Sequence, residues 1–233
     1  MLPAPLRGAA TLLAVLTLAA LSLCNPYALL RDQHVWGARM TILSSTHPRE
    51  GLVQALLTLA QLFALLIGAV STLCAAAQDA AQKLGFQCRM LTDCLECEAR
   101  EAGRFLASIA RSHQQTERPL AFFAGGETVV HLTGQGLGGR NQELALAAAP
   151  GLRGTQNTAV CSFGSDGTDG PTDAAGGFVD QSSDAALRAA GLDVPQVLAE
   201  NDAYHALQKI GGLLMTGPTG TNVNDLSMVL IWR

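Results

Sequence analysis

From about residue 60 onward, short apolar stretches of strand length alternate with segments of helical periodicity, and this alternation limits the possible folds most strongly. Residues 62–67 are predicted to form a buried strand, and the helix that follows ends at Gly85, which provides a C-cap. A short strand is predicted at 87–91 and an amphipathic helix at 96–111. This β-α-β-α order predicts parallel strands covered by helices.

The second half of the chain predicts further strands and helices separated by glycine-rich loops. Strands are predicted at 119–124, 127–132, 158–164, 213–216 and 227–232. Helices are predicted at 141–149, 184–190, 194–199 and 203–210. The strand predicted at 127–132 immediately follows the strand at 119–124 and reads as antiparallel. The predicted class is therefore α/β, with a mixed sheet and helices on both faces.

Charge and cysteine content exclude several classes of function. A net charge of -4 and a pI near 5.7 argue against a nucleic-acid partner, which needs a basic surface. The six cysteines show no spacing typical of a disulfide framework. Cys94 and Cys97 form a lone CxxC pair, interpreted as two incidental thiols rather than a zinc or redox site. The two lysines, Lys83 and Lys209, lie in predicted helices.

The N-terminal region contains two long uncharged runs. The first, residues 8–30, follows Arg7 and is typical of a signal-peptide core or a short membrane anchor. The second, residues 51–78, is long enough to cross a bilayer, but its alanine-rich later part fits a helix packed closely on a sheet. Two interpretations of the first run stay open: a targeting segment, or sequence foreign to an intact gene product.

The first of three chemically suggestive loops contains four glycines between residues 134 and 139, followed by Arg140 and Asn141. Glycines allow backbone N–H groups to approach an anion, and a helix N-terminus adds a favourable dipole. The guanidinium of Arg140 is a planar fork suited to carboxylate or phosphate. No Gly-Lys-Ser/Thr sequence follows, so the loop is not a Walker A motif. The alternative is a tight turn that merely requires glycine.

The other two loops are polar and also follow predicted strands. Residues 164–173 carry Asp166, Asp169 and Asp173 among glycines and hydroxyls, a composition that suits a hard cation such as Mg²⁺. The alternative is a solvated turn with Asx hydrogen bonds. Residues 216–225 combine hydroxyls and amides on a glycine loop that could bind phosphate.

Taken together, these motifs resemble the C-terminal, or MOFRL, domain of the class II glycerate 2-kinase family. The residues that carry the resemblance are Gly-Gly-Glu-Thr at 125–128, Gly-Gly-Arg-Asn-Gln-Glu at 138–143, Thr-Asp-Gly-Pro-Thr-Asp-Ala-Ala-Gly at 168–176, Asn-Asp at 201–202 and Thr-Gly-Pro-Thr-Gly-Thr-Asn-Val-Asn-Asp at 216–225. The match covers the last 110 residues or so well and extends less strongly back to about Ile67.

The resemblance implies ATP-dependent phosphorylation of D-glycerate with Mg²⁺, in a cleft between a larger domain and this one. It implies catalytic roles for Arg140, Glu127 and Asp166, and metal ligation by Asp166 and Asp169. The implied substrate-binding residues are Gly138, Gly139, Asn141, Thr168, Asp169, Thr221, Asn222 and Asp225. A cytoplasmic protein is implied, with a homodimer as one possible assembly and membrane association only through residues 8–30.

The chain also departs from the family pattern. Residues 67–70 read Ile-Gly-Ala-Val where the family has Ile-Gly-Ser-Asn, and the family's glycine-serine phosphate loop and lysine are absent. We therefore predict an unrelated hydrophobic segment at 1–60, the remainder of a larger α/β domain at 61–118 and a MOFRL-like domain at 119–233. The expected function is that of a truncated or incomplete glycerate kinase. The alternatives are a catalytically silent binding module and, less favoured because no dinucleotide fingerprint is present, a hydroxypyruvate reductase.

Overall fold

A computed structural model of the protein describes residues 70–220 and 222–233. The helices are α1 (Val70–Lys83), α2 (Ala99–Ser112), α3 (Arg140–Ala148), α4 (Ser183–Ala189), α5 (Val194–Ala199) and α6 (Ala203–Lys209), with a 3-10 turn at Ala149–Leu152. The strands are β1 (Gln87–Leu95), β2 (Leu120–Gly126), β3 (Thr158–Gly164), β4 (Gly176–Asp180), β5 (Leu213–Leu214) and β6 (Asp225–Ile231). The predicted strand 62–67 and the uncharged run 8–30 lie outside the described residues.

The strands form a six-stranded sheet in the order β1-β2-β6-β3-β4-β5. Only β1 and β2 pair in parallel, and every other neighbouring pair in this sheet is antiparallel. The predicted mixed α/β sheet is therefore confirmed. Strand β6 lies between β2 and β3, so that Asp225, its first residue, is level with Gly126 on one side and Gly164 on the other.

The sheet has a hydrophobic core on each face. Along β2, Phe123 belongs to the core shared with α1, whereas Phe122 belongs to the core shared with α2 and α3. This division follows from the alternation of side chains along a strand. On the first face the fully buried Ala77 and Ala81 allow α1 to lie close to the sheet, as the alanine-rich pattern predicts.

The sheet differs from the prediction at two strands. No strand forms at 127–132; within this segment, only Val129 makes an isolated bridge, with Glu98. Strand β4 was not predicted, because its first two residues are glycines that hide the strand signal; pairing with β3 stabilises it instead.

The predicted division between residues 118 and 119 lies within this sheet. Strand β1 precedes the division and β2 follows it, yet the two pair from Gln87↔Leu120 to Leu95↔Gly126. Helix α1 also contributes to the same core as β2, β3 and β6. Residues 70–118 thus share their hydrogen bonds and core with the C-terminal segment. No helix within 70–220 or 222–233 has the length and apolar character needed to cross a membrane.

Close packing between α2 and α3 depends on Gly103. A Cβ atom at this position would lie 2.1 Å from the carbonyl oxygen of Leu144 and 3.1 Å from the Cβ of Ala147. Gly103→Ala is therefore expected to lower the free energy of unfolding by about 1–3 kcal/mol. Alanine is the better helix former by about 1 kcal/mol, so helix propensity alone predicts the opposite sign. Urea denaturation measures the difference.

Ser108→Ala, on the exposed face of the same helix, is the matched control. It is expected to change the free energy of unfolding by less than about 0.5 kcal/mol. A stabilised Gly103→Ala protein would contradict the close approach of α2 and α3.

Candidate active site

The three loops singled out in the sequence meet at one end of the sheet. Gly126 ends β2, Gly164 ends β3, and Asp225 begins β6 between them. Helix α3 begins beside them, since the guanidinium of Arg140 contacts the carboxylate of Asp225. The polar loops are also joined directly, because the N–H of Thr219 donates to the carbonyl oxygen of Asp166.

Arg140 contacts two carboxylates. Its Nε and NH2 donate to Asp225 Oδ2 at 2.5 Å and Oδ1 at 3.1 Å, a bidentate pair. Its NH1 lies 2.9 Å from Glu127 Oε1. The hydrogen bonds that Arg140 donates to Asp225 hold the pKa of Arg140 above its ordinary value; burial opposes this shift, and the charges of Asp225 and Glu127 support it. The site thus contains a permanently charged, half-buried cation held in a fixed orientation.

Asp225 is the buried partner of this cation. Its side chain is 7% exposed, whereas that of Glu127 is 53% exposed. Burial raises the pKa of Asp225, and the hydrogen bond and charge of Arg140 oppose the shift. Asp225 was expected to bind substrate, but its carboxylate oxygens are both engaged by Arg140.

Asp169 caps the helix that carries Arg140. Its Oδ1 accepts the backbone N–H of Asn141 at 3.1 Å, and its Oδ2 accepts that of Gln142 at 2.8 Å. A Cβ atom on Gly139 would lie 2.3 Å from the Cγ of Asp169, so the cap requires glycine there. Only 3% of Asp169 is exposed. We therefore assign Asp169 a capping role, in place of the metal and substrate contacts expected from the sequence.

This cap changes the expectation of a backbone cradle for anions. The N–H groups at the start of α3 are directed at Asp169, not at an open site. In the preceding loop, the N–H groups of Gly134, Gly136 and Leu137 also bond to protein oxygens. The side chain of Arg140 is the charged donor at the end of this loop.

A buried polar chain extends from the cap into the sheet. The side-chain amide of Asn141 donates to Asp169 Oδ1, and its carbonyl oxygen accepts the hydroxyl of Ser162 at 2.5 Å. The hydroxyl of Ser162 also lies 2.8 Å from that of Ser227. Asn141, expected to bind substrate, is 1% exposed and is part of this structural network. A serine inside the fully buried strand Thr158–Gly164 was the available sequence signal for it.

The glycine loop before α3 is fixed by a second network, centred on Asn201. The side-chain oxygen of Asn201 accepts the N–H groups of Thr133 at 2.7 Å and Gly134 at 2.9 Å. Its amide donates to Glu143, whose pKa is raised by burial. Asp202 accepts the N–H of Leu137. The sequence motif included both residues, but nothing in it revealed that they bind the loop.

Asp166 lies at the same end of the sheet as Asp225. A Cβ atom built on Gly164 would lie 3.1 Å from Asp166 Oδ1 and 3.5 Å from Asp225 Oδ1. Asp166 Oδ1 accepts the N–H of Thr168 in an Asx turn, and Oδ2 is engaged by no residue that the structure describes. This half-buried carboxylate could therefore accept a cation.

The remaining expected site residues are more peripheral. Thr168 and Asn222 are exposed, Gly138 is partly buried, and Thr221 lies outside the described residues. Over residues 70–220 and 222–233, no group of three or more His, Cys, Asp or Glu side chains could hold a metal ion. Cys94 and Cys97 belong to no such group, and both are free, exposed thiols.

The titration of Asp169 gives a testable pH dependence. Burial raises its pKa to about 7, against the N–H bonds of Gln142 and Asn141, whereas an unfolded aspartate ionises at about 3.9. Its contribution to stability is thus fully present below about pH 4 and is lost as the pH rises to about 7. We compare the free energy of unfolding of the protein with that of the Asp169→Asn variant. The difference is expected to fall by a few kcal/mol over this interval, on the order of the energy equivalent of the change in pKa on unfolding.

Urea denaturation of both proteins at a series of pH values checks this expectation, because groups other than Asp169 cancel in the difference. A difference that increases with pH would show that the helix N–H bonds outweigh burial. The pKa of Asp169 would then be lower in the folded protein than in the unfolded chain.

Comparison with known proteins places this geometry in a family. Residues 120–225 match the MOFRL family. A D-glycerate 2-kinase from Thermotoga maritima is 56% identical over 170 residues, which are 71% of this chain and 41% of the relative. A glycerate 2-kinase from Pyrococcus horikoshii is 46% identical over 171 residues, 71% of this chain and 39% of the relative.

A solved structure agrees with this result. The crystal structure of glycerate kinase from Thermotoga maritima superposes with a TM-score of 0.68 at 56% identity, covering 71% of this chain and 41% of that chain. The chain spans about two fifths of the length of the curated relatives it matches. Residues 120–225 are thus a domain of the MOFRL family, in a C-terminal part of the chain that is homologous to glycerate 2-kinases.

Proposed function

We propose that this protein is a glycerate kinase, transferring a phosphoryl group from ATP to D-glycerate. The observation that carries the proposal is the position of Arg140, which lies where the three loops meet and is held there by Asp225. Two relatives named as glycerate 2-kinases share 56% and 46% identity with the chain. Cytoplasmic location and a homodimer are part of the proposal on the same family resemblance.

The proposed role of Arg140 is to bind and orient negative charge. Phosphoryl transfer depends mainly on positioning and on neutralising charge at the phosphoryl oxygens. A guanidinium has five N–H donors, of which Asp225 engages two and Glu127 one. No described residue engages the other two, so the guanidinium can also bind the glycerate carboxylate or the transferred phosphoryl group.

The charge around Arg140 supports a requirement for a cation. Arg140 carries one positive charge, and Glu127, Asp225 and Asp166 carry three negative charges when ionised, which gives a formal sum of -2 for these residues. An anionic substrate bound here needs further positive charge. We propose that Mg²⁺ supplies it by neutralising phosphate oxygens, with Asp166 as the protein ligand whose Oδ2 suits a hard cation.

We propose that residues outside the three loops bind the adenine nucleotide, since none of these loops contains a lysine. Lys83 and Lys209 lie at the ends of α1 and α6 and belong to none of the loops. The alternatives are a silent binding module and a hydroxypyruvate reductase. The reductase is less favoured, because this sequence contains no dinucleotide fingerprint.

Arg140→Ala tests the proposed activity. The purified chain is incubated with ATP, Mg²⁺ and D-glycerate, and glycerate-dependent release of ADP and formation of phosphoglycerate are measured. Because the guanidinium is placed to neutralise transferred charge, its loss is expected to lower kcat/KM by about 10²- to 10³-fold, as for loss of another transition-state donor.

Arg104→Ala is the control, since Arg104 is an exposed arginine of α2 paired with Glu101 outside the three loops. It is expected to retain full activity. Absence of glycerate-dependent ADP release from the unsubstituted chain would contradict the proposal and favour the binding module. Oxidation of NADH or NADPH in the presence of hydroxypyruvate would favour the reductase.

A further inference from the structure

The two carboxylates that contact Arg140 differ in how firmly they are held. Asp225 is the first residue of β6 and is paired on both sides, with Gly126 and with Gly164. It makes a bidentate contact with Arg140, and its side chain is 7% exposed. Separating it from Arg140 would leave a buried carboxylate without its cation, at a large cost.

The contact with Glu127 has the opposite character. It joins one oxygen to NH1 of Arg140 at 2.9 Å, and the glutamate side chain is 53% exposed. An exposed ion pair of this kind contributes little to stability. The carboxylate can therefore leave Arg140 and become solvated without unfolding the site.

The backbone at Glu127 is fixed although its side chain is not. Gly126 has φ of 148° and a Cβ there would lie 2.3 Å from the backbone nitrogen of Leu95. The N–H of Glu127 donates to the carbonyl oxygen of Leu95 at 3.0 Å. The backbone is thus anchored to the end of β1, and the exposed side chain can rotate away while the loop stays in place.

From this asymmetry we propose that Glu127 is an internal competitor for the anion-binding side of Arg140. In the absence of ligand its carboxylate occupies NH1, and a carboxylate or phosphate group of the substrate displaces it. Asp225 stays bound throughout and fixes the plane of the guanidinium. Glu127 therefore weakens anion binding and disfavours weakly binding anions, whereas the family resemblance implied a catalytic role. This inference rests on the proposed function only for the identity of the anion that displaces Glu127.

Glu127→Gln tests the competition. The amide keeps the size of the side chain but removes its charge, so anions are expected to bind more tightly. The energy of an exposed ion pair corresponds to an affinity gain of about 1.4- to 5-fold. Because the lost contact is solvent-exposed, the gain is expected to shrink as ionic strength rises.

Binding is followed through the Nε–Hε signal of Arg140 in ¹⁵N–¹H NMR spectra, assigned by its loss in Arg140→Lys. The full chain and Glu127→Gln are titrated separately with inorganic phosphate and with D-glycerate. A gain with phosphate alone places the phosphoryl group at NH1, and a gain with D-glycerate alone places the substrate carboxylate there. A gain with both assigns the site to anions generally, and each of these results supports the competition.

Glu101→Gln is the matched control, because it removes the same charge from another exposed pair, Glu101 and Arg104, at 2.6 Å. Its affinities are expected to equal those of the unsubstituted protein, which separates local competition from net charge. Equal or weaker binding by Glu127→Gln, an equal gain in Glu101→Gln, or no response of the Arg140 signal to either anion would overturn the proposal. Because the titration measures binding and requires no turnover, its result can be interpreted even if the kinase assay shows no activity.

Discussion

The hydrogen bonds from the start of α3 to the carboxylate of Asp169 hold the candidate site together. They join the acidic loop after β3 to the helix whose first residue is Arg140. Asn141 extends the same network to Ser162 in β3, and through it to Ser227 in β6. Because buried polar groups are costly when unpaired, this chain of bonds permits one relative position of helix, loop and sheet.

That fixed position determines the electrostatics around Arg140. Asp169 accepts the N–H groups of Asn141 and Gln142 at the start of α3. In the loop before it, the N–H groups of Gly134, Gly136 and Leu137 bond to other residues of the protein. In the proposed function, anion binding depends on one guanidinium that is shared by a buried and an exposed carboxylate. We propose that the balance between these two contacts decides how readily a substrate anion binds.

Much of the fold was predictable from residue patterns. The strand 158–164 was predicted with its observed bounds, and the alanine-rich segment after residue 70 forms the expected helix on the sheet. The strand predicted at 127–132 is absent, because the chain leaves the sheet after Gly126. Strand β4 was missed because its glycines carry no strand signal and pairing with β3 defines it. Local propensity cannot report such pairing.

For the site, the sequence by itself determined which loops carry the chemistry, since glycines, carboxylates and Arg140 at these spacings specify a family. Only the tertiary structure decided what each carboxylate does. Asp169 and Asp166 lie in the same loop with similar neighbours in the sequence, yet one caps α3 and the other has an oxygen that no described residue engages. The physical reason is that burial and hydrogen-bond partners come from residues distant in the chain, and these set the role of a charged group.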